Sequence, residues 1–460
     1  MPEQYQAMVA VTVFLIVYAV IISEKIHRTV IALVGAALMV LLGILDFYDA
    51  VGHIDFNTIG LLIGMMLIVG ITRKTGVFEY LAIKSAKIVK AEPIRLLASL
   101  ALVTAVLSAF LDNVTTVLLI VPVTFAITNQ LKINPWPFLF TEILASNIGG
   151  TATLIGDPPN IMIGSATGLG FMDFALNLTP VVCVILLVTI YLLQFVYRDS
   201  LHTTDDLKSG VMQMDENEAI TDPRLLKKCL IVLGLTILGF FLHQYIHMES
   251  AVIALSGAAL LLLISFEDVD EALQTVEWPV LFFFAGLFII VGALVEVGVI
   301  ELVAKWALDV TGGNMVPTGM LILWLSAIAS AFVDNIPFVA TMIPLIQDMG
   351  RLGGIVDLNF LWWCLSLGAC LGGNGTIIGA SANVVVIGMA EKRGVRATFV
   401  GFMKLAFPLM LLSIVISTGY LLMYFFMGHI PAAITALALT LVLALLSKPV
   451  TNMVLKSGAK

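Results

Sequence analysis

Two segments 222 positions apart repeat each other in the middle of apolar surroundings. Ser108-Ala109-Phe110-Leu111-Asp112-Asn113-Val114 matches Ser330-Ala331-Phe332-Val333-Asp334-Asn335-Ile336. The same offset lays Val30-Ile31-Ala32-Leu33 on Val252-Ile253-Ala254-Leu255, Asp55 on Glu277, Gly64 on Gly286 and Pro122 on Pro344. After one residue of slippage, Gly149, Gly150, Thr153, Gly156 and Asn160 fall on Gly372, Gly373, Thr376, Gly379 and Asn383. Unrelated apolar helices do not hold a fixed register over so long a stretch, so the chain is an internal duplication. A duplication that carries an ionisable residue into each apolar half is the pattern of a secondary transporter.

Hydrophobic residues form 60% of the 460-residue chain and charged ones 12%, with mean hydropathy +1.07. Soluble chains are roughly 45–50% apolar and 25% charged, so this composition requires a bilayer. Apolar runs of about twenty residues, each long enough to cross a hydrocarbon core of ~30 Å, recur throughout. The fold class is an all-α polytopic membrane protein. The net charge of −8 implies no nucleic-acid partner. Cys183, Cys229, Cys364 and Cys370 stand singly, and the six histidines show no ligand spacing, so neither a disulfide framework nor a metal site is expected. No enzyme chemistry and no cofactor are expected either. The N-terminus lacks a basic flank before 5–22, which reads as a first membrane helix without a cleaved signal.

Residues 1–197 form the first transporter repeat, with spans at 5–23, 29–45, 56–72, an interrupted pair 137–147 and 160–168, and 174–197. A hairpin, 94–110 and 113–129, lies between the third and fourth spans. A polar linker occupies 198–225. Residues 226–427 repeat the order: 226–243, 251–266, 278–295, a hairpin 318–333 and 335–349, an interrupted span 359–390, and 400–427. Residues 428–460 add one C-terminal helix and a tail, making about 11 spans. Five crossings per repeat are an odd number, so the two repeats have inverted topology. With the N-terminus outside, all Lys and Arg residues except Lys305 and Arg351 are cytoplasmic, as the positive-inside rule requires. The expected location is a cell membrane (plasma or inner), with the C-terminus in the cytoplasm.

A carboxylate near the bilayer centre costs at least ~2.5–3.5 kcal/mol and is rarely idle. Asp112 and Asp334 each precede an asparagine, Asn113 and Asn335, at a hairpin tip, and Thr115 adds a hydroxyl to the first. Helix capping is the simplest role for each aspartate, and it is compatible with ion binding. The segment from Asn147 to Asn160 includes Gly149, Gly150, Thr153, Gly156 and Asp157 before Pro158-Pro159, and cannot continue as helix. Its repeat mate holds Gly372, Gly373, Asn374, Thr376, Gly379, Ser381 and Asn383. Broken helices persist in lipid only where they line a cavity or lie buried in protein. Their free carbonyls suit a cation, and the half-helix starting near Asn160 presents N–H groups. Glu142 lies one turn from the first break, and Lys404 reads as an interfacial residue.

The tips together with GGTATLIGDPPN and LGGNGTIIGASANVVVIGMAEKRG resemble the P protein (pink-eyed dilution) permeases. These belong to the arsenite permease/NhaD-type antiporter group of the ion transporter superfamily. The resemblance covers nearly the whole chain. It implies a scaffold and a transport domain moving as an elevator, a homodimeric partner, a small-ion substrate and H⁺ or Na⁺ as coupling ion. In dicarboxylate members the tips carry Ser-Asn-Thr and bind sodium with the broken loops. That role passes to Asp112, Asn113, Thr153, Asn160, Asp334, Asn335, Thr376 and Asn383, sodium being transient there. Aspartate in place of serine at both tips departs from that pattern and disfavours a dianion. The expected function is a cation- or proton-coupled secondary transporter, with an anion channel or dicarboxylate carrier as the alternative.

Overall fold

The computed structural model describes residues 3–23, 25–355 and 357–457. The outermost ends of the first repeat and of the tail, 1–2 and 458–460, lie outside the described residues. All regular structure among those described is helical. The first half contains α1 (Glu3–Ser23), α2 (Arg28–Leu41), α3 (Phe47–Gly52), α4 (Phe56–Arg73) and α5 (Val77–Ile88). The hairpin α6 (Pro93–Phe110) and α7 (Asn113–Leu131) follows, then the broken pair α8 (Trp136–Gly150) and α9 (Pro158–Thr167), and α10 (Phe171–Tyr197). The linker holds α11 (Asp205–Met212) and a 3-10 turn. The second half contains α12 (Pro223–Ile246), α13 (Ser250–Ser265), α14 (Val269–Leu273), α15 (Trp278–Glu296) and α16 (Val299–Thr311). After these come α17 (Met315–Phe332), α18 (Asn335–Gly353), α19 (Asn359–Gly372), α20 (Ser381–Lys392), α21 (Phe399–Met427) and α22 (His429–Ser457).

The duplication appears in the helix starts. From α2 with α13 through α7 with α18, every paired helix begins 222 residues apart, and α8/α19 and α9/α20 begin 223 apart. Local chemistry sets these starts. Proline stands at the first helical position of α6, α9 and α12, where its missing N–H costs nothing. Asp55, Asp112 and Asp222 cap α4, α7 and α12 through their carboxylates. Gly76 and Gly298, at φ +74° and +73°, make the left-handed turns that launch α5 and α16.

Nine of the described helices are long and apolar enough to cross a membrane. That set differs from the eleven expected crossings. It includes three hairpin helices, whereas α2, α13 and the halves of the broken spans are shorter. The 14 residues of α2 rise only about 21 Å at 1.5 Å per residue. The second half-helix of the first broken span starts at Pro158, before Asn160, and α12 starts at Pro223, inside the expected linker.

The two repeats interlock, with α2 against α15 and α4 against α13. Glycine permits both contacts. A Cβ on Gly64 would lie 2.4 Å from the Ala254 carbonyl carbon, and one on Gly286 would lie 2.9 Å from that of Ala32. At the centre, α8 is buried from Pro137 to Gly150 and α19 from Phe360 to Gly372. Leu15, Leu235 and Leu441 on the outer helices α1, α12 and α22 are exposed, as a lipid-facing surface requires.

Candidate functional site

The two hairpin tips are related in sequence but bonded differently. Asp112 caps α7, with Oδ1 accepting from the Thr115 amide at 2.8 Å and Oδ2 from the Thr115 hydroxyl. Asp334 caps α18 with Oδ1, which accepts from the Ile336 amide at 3.1 Å. The counterpart of Thr115 is Pro337, which has neither hydroxyl nor N–H. Asp334 Oδ2 instead accepts from Arg28 Nη1 at 2.5 Å and Ser381 Oγ at 3.1 Å.

The tip asparagines converge on one carboxylate. Asn113 Nδ2 donates to Asn147 Oδ1 at 3.0 Å and to Asp157 Oδ1 at 3.4 Å. Asn335 Nδ2 donates to the same Asp157 oxygen at 3.3 Å. Asp157 is fully buried, and its Oδ2 has no hydrogen-bond partner among the described residues. Asp157 falls on Ala380 under the duplication, so a single acid serves both tips.

The broken loops are braced in parallel ways. The Thr153 and Thr376 hydroxyls donate to the Ala109 and Ala331 carbonyls just before the tips. Asn160 Nδ2 donates to the Thr151 and Thr153 carbonyls at 3.1 and 2.8 Å, and Asn383 Nδ2 to those of Gly373 and Thr376 at 2.7 and 2.8 Å. Asn147 Nδ2 donates to Asn374 Oδ1 and Asn383 Oδ1, both at 2.9 Å, pinning one broken helix to the other. Asn160 Oδ1 accepts from Ser366 Oγ at 2.6 Å. A Cβ on Gly149 would lie 2.2 Å from the Ala105 carbonyl oxygen, and one on Gly372 2.6 Å from that of Ala327. Gly150 with Gly156, and Gly373 with Gly379, likewise meet backbone to backbone.

A cavity of about 20 Å³ lies between the tips, lined among others by Arg28, Asp112, Asn113, Asp157, Glu277, Asn335 and Ser381. That is room for roughly one water-sized particle. Three carboxyl side chains and one guanidinium face it, an environment suited to a small cation or a proton. A larger cavity, about 390 Å³, runs from Ile21 and Ile22 at the end of α1 and His27 at the start of α2 to Val114, Asp334 and Ser381. A third, about 240 Å³, opens beside His53 and Asp55 and ends against Met162, Ala340 and Ile343.

Of the residues expected from sequence, Asp112, Asn113, Asp157, Asn335 and Ser381 therefore line the small cavity, and Asp334 lines the larger one. Thr115, Thr153, Asn160, Asn374, Thr376 and Asn383 form the frame behind them. Glu142 is outside both, accepting from Thr124 Oγ1 at 2.5 Å. Sequence reasoning missed Arg28, Asn147 and Glu277 as site residues. For Arg28 and Asn147 the available signal was departure from the duplication, Arg28 falling on Ser250 and Asn147 on Cys370, whereas Glu277 keeps the acid of Asp55 and gave no such signal.

A profile of the CitMHS family, described as citrate transporter, matches residues 18–368. Two uncharacterized transporters of Mycobacterium tuberculosis, Rv2684 and Rv2685, are 46% and 45% identical over 92% of the chain and 100% of their own lengths. The P protein of Mus musculus is 36% identical over 90% of this chain, which spans 60% of that protein. The solved structure of Neisseria gonorrhoeae MtrF, described among antimetabolite efflux pumps, superposes with TM-score 0.56 at 11% identity, covering 84% of each chain. That likeness concerns the fold alone. With a family profile over most of its length and full-length transporter relatives, the chain belongs to the CitMHS family and is an integral membrane transporter.

Proposed function

We propose that this protein is a secondary active transporter of a small ion, coupled to H⁺ or Na⁺, in which the hairpins and broken helices move as one unit in elevator fashion. The observation that carries this reading is Asp157. Its Oδ1 is shared by the amides of both tips, while its buried Oδ2 has no partner among the described residues. A buried carboxylate oxygen that accepts no hydrogen bond is strongly disfavoured unless a proton or a metal ion occupies it. An exchangeable ion at Asp157 would thus be felt by both hairpins at once. The arsenite permease/NhaD-type assignment is the finer form of this proposal, because an uncharged arsenite trihydroxide suits amide and hydroxyl donors. The protein would sit in a cell membrane with its N-terminus outside, so the 390 Å³ cavity opens to the cytoplasm.

A second reading, an anion or dicarboxylate carrier, is favoured by the guanidinium of Arg28 on both cavities. It is also favoured by the description of the family as citrate transporter. Uptake of arsenite, sodium and citrate into proteoliposomes under imposed pH or sodium gradients separates the two. Asp157→Asn should abolish the gradient dependence while the protein stays folded. Full retention of gradient-driven uptake in that variant would refute the assignment.

A further inference from the structure

Arg28 reaches the second tip from a different part of the molecule. It opens α2, which is packed on α1 and α15, and its Cζ lies 5.1 Å from the Phe283 ring centroid on α15. Its Nη1 meets Asp334 Oδ2 at 2.5 Å and Ser381 Oγ at 2.7 Å. This ion pair is shielded, with the two side chains 26% and 9% exposed. At the first tip no basic side chain among the described residues bonds the aspartate: Asp112 is bonded by its own Thr115, and Ser250 stands at the position corresponding to Arg28. The exchange of Thr115 for Pro337 leaves one Asp334 oxygen open, and the exchange of Ser250 for Arg28 fills it.

We infer that Arg28 is a resident cation occupying the ion position of the Asp334 tip. The duplicated pair of tips then keeps one exchangeable cation position, at Asp112 and Asp157. The inference rests on the reading of the tips as an ion-coupling site. Arg28 joins a helix of the α2–α15 contact to a hairpin tip, so any displacement of that tip relative to α2 must separate the pair. Asp334 would then need another cation. Glu277, on the wall of both cavities with Arg28, offers the freed guanidinium an alternative carboxylate.

The test is chemical rescue with guanidinium ion on purified protein. Arg28→Ala should have a lowered melting temperature and show a saturable upward shift of about 1–3 °C with millimolar guanidinium, since a ligand of the folded state stabilises it by mass action. Equimolar urea, a neutral molecule of the same shape, should not act. The wild type and Arg28→Ala/Asp334→Asn should not respond, and Arg28→Lys should retain most of the wild-type stability. Absence of a saturable response in Arg28→Ala, or the same response in the double variant, would overturn the inference. If Arg28→Ala does not accumulate folded, the double variant decides. Recovery of folding there supports an unpaired Asp334 as the lesion, and equal misfolding contradicts it. Neither readout involves transport, so failure here leaves the coupling proposal standing, and failure of coupling leaves this result interpretable.

Discussion

At the residue scale, the asparagines divide into two groups. Asn113 and Asn335 point their amides at Asp157, whereas Asn160 and Asn383 spend both amide protons on carbonyls of the unwound loops. Removing Asn160 takes the side-chain donor from two loop carbonyls, and removing Asn383 takes it from that of Gly373, while the Thr376 carbonyl still accepts from the Gly379 amide at 3.3 Å; a buried carbonyl left unpaired costs about 1–3 kcal/mol. Asn160→Ala and Asn383→Ala should therefore lower the melting temperature clearly, and Asn113→Ala should lower it less while impairing ion-dependent uptake more. Thermal unfolding and uptake measured on the same preparations check this ordering. The polar residues of the tips and loops were legible in the sequence because glycine, proline and buried polar groups are out of place in apolar spans. Arg28 was not. As a base at the start of an apolar run, it fits the pattern of an ordinary membrane-flanking residue. Its partner lies 306 positions away, and no local pattern encodes that distance.

At the scale of elements, the broken helices lie against the hairpins with almost no side chain between them. Gly149 faces Ala105 and Gly372 faces Ala327 in equivalent contacts. The hydroxyls of Ser108 and Ser330 fasten the same surfaces, donating to the Ser146 and Ala369 carbonyls at 2.7 Å each. Gly149→Ala and Gly372→Ala should each destabilise the protein by about 1–3 kcal/mol through overpacking, read as a fall in melting temperature. Gly234→Ala, on a face with no heavy atom near the added methyl, should not. The hairpins and breaks were visible in the sequence, but α5 and α16 were not assigned. Each is a short segment of mixed polarity, Val77–Ile88 and Val299–Thr311, that a search for long apolar runs passes over. Their starts lie 222 residues apart, so the duplication itself marked them.

At the scale of the whole molecule, the interlocked repeats place two unequal cavities on opposite sides of the tips. The larger reaches Val114 and Val333, whereas the smaller stops at Met162 and Ala340. In the proposed orientation, with the N-terminus outside, single cysteines at Val114 and Val333 should be labelled from the cytoplasmic side, and one at Ala340 from the outside. Adding the coupling ion and substrate should shift the first two toward protection or outside labelling. An unchanged pattern under every gradient would argue for a fixed pathway. The central claim is coupled, alternating access around Asp157, and counterflow tests it most directly. Proteoliposomes loaded with unlabelled citrate, arsenite or sodium should accumulate the matching external tracer transiently. That accumulation should saturate, and an opposed pH or sodium gradient should drive it. Flux that stays linear with concentration, shows no counterflow and ignores both gradients would mark a channel and contradict the account.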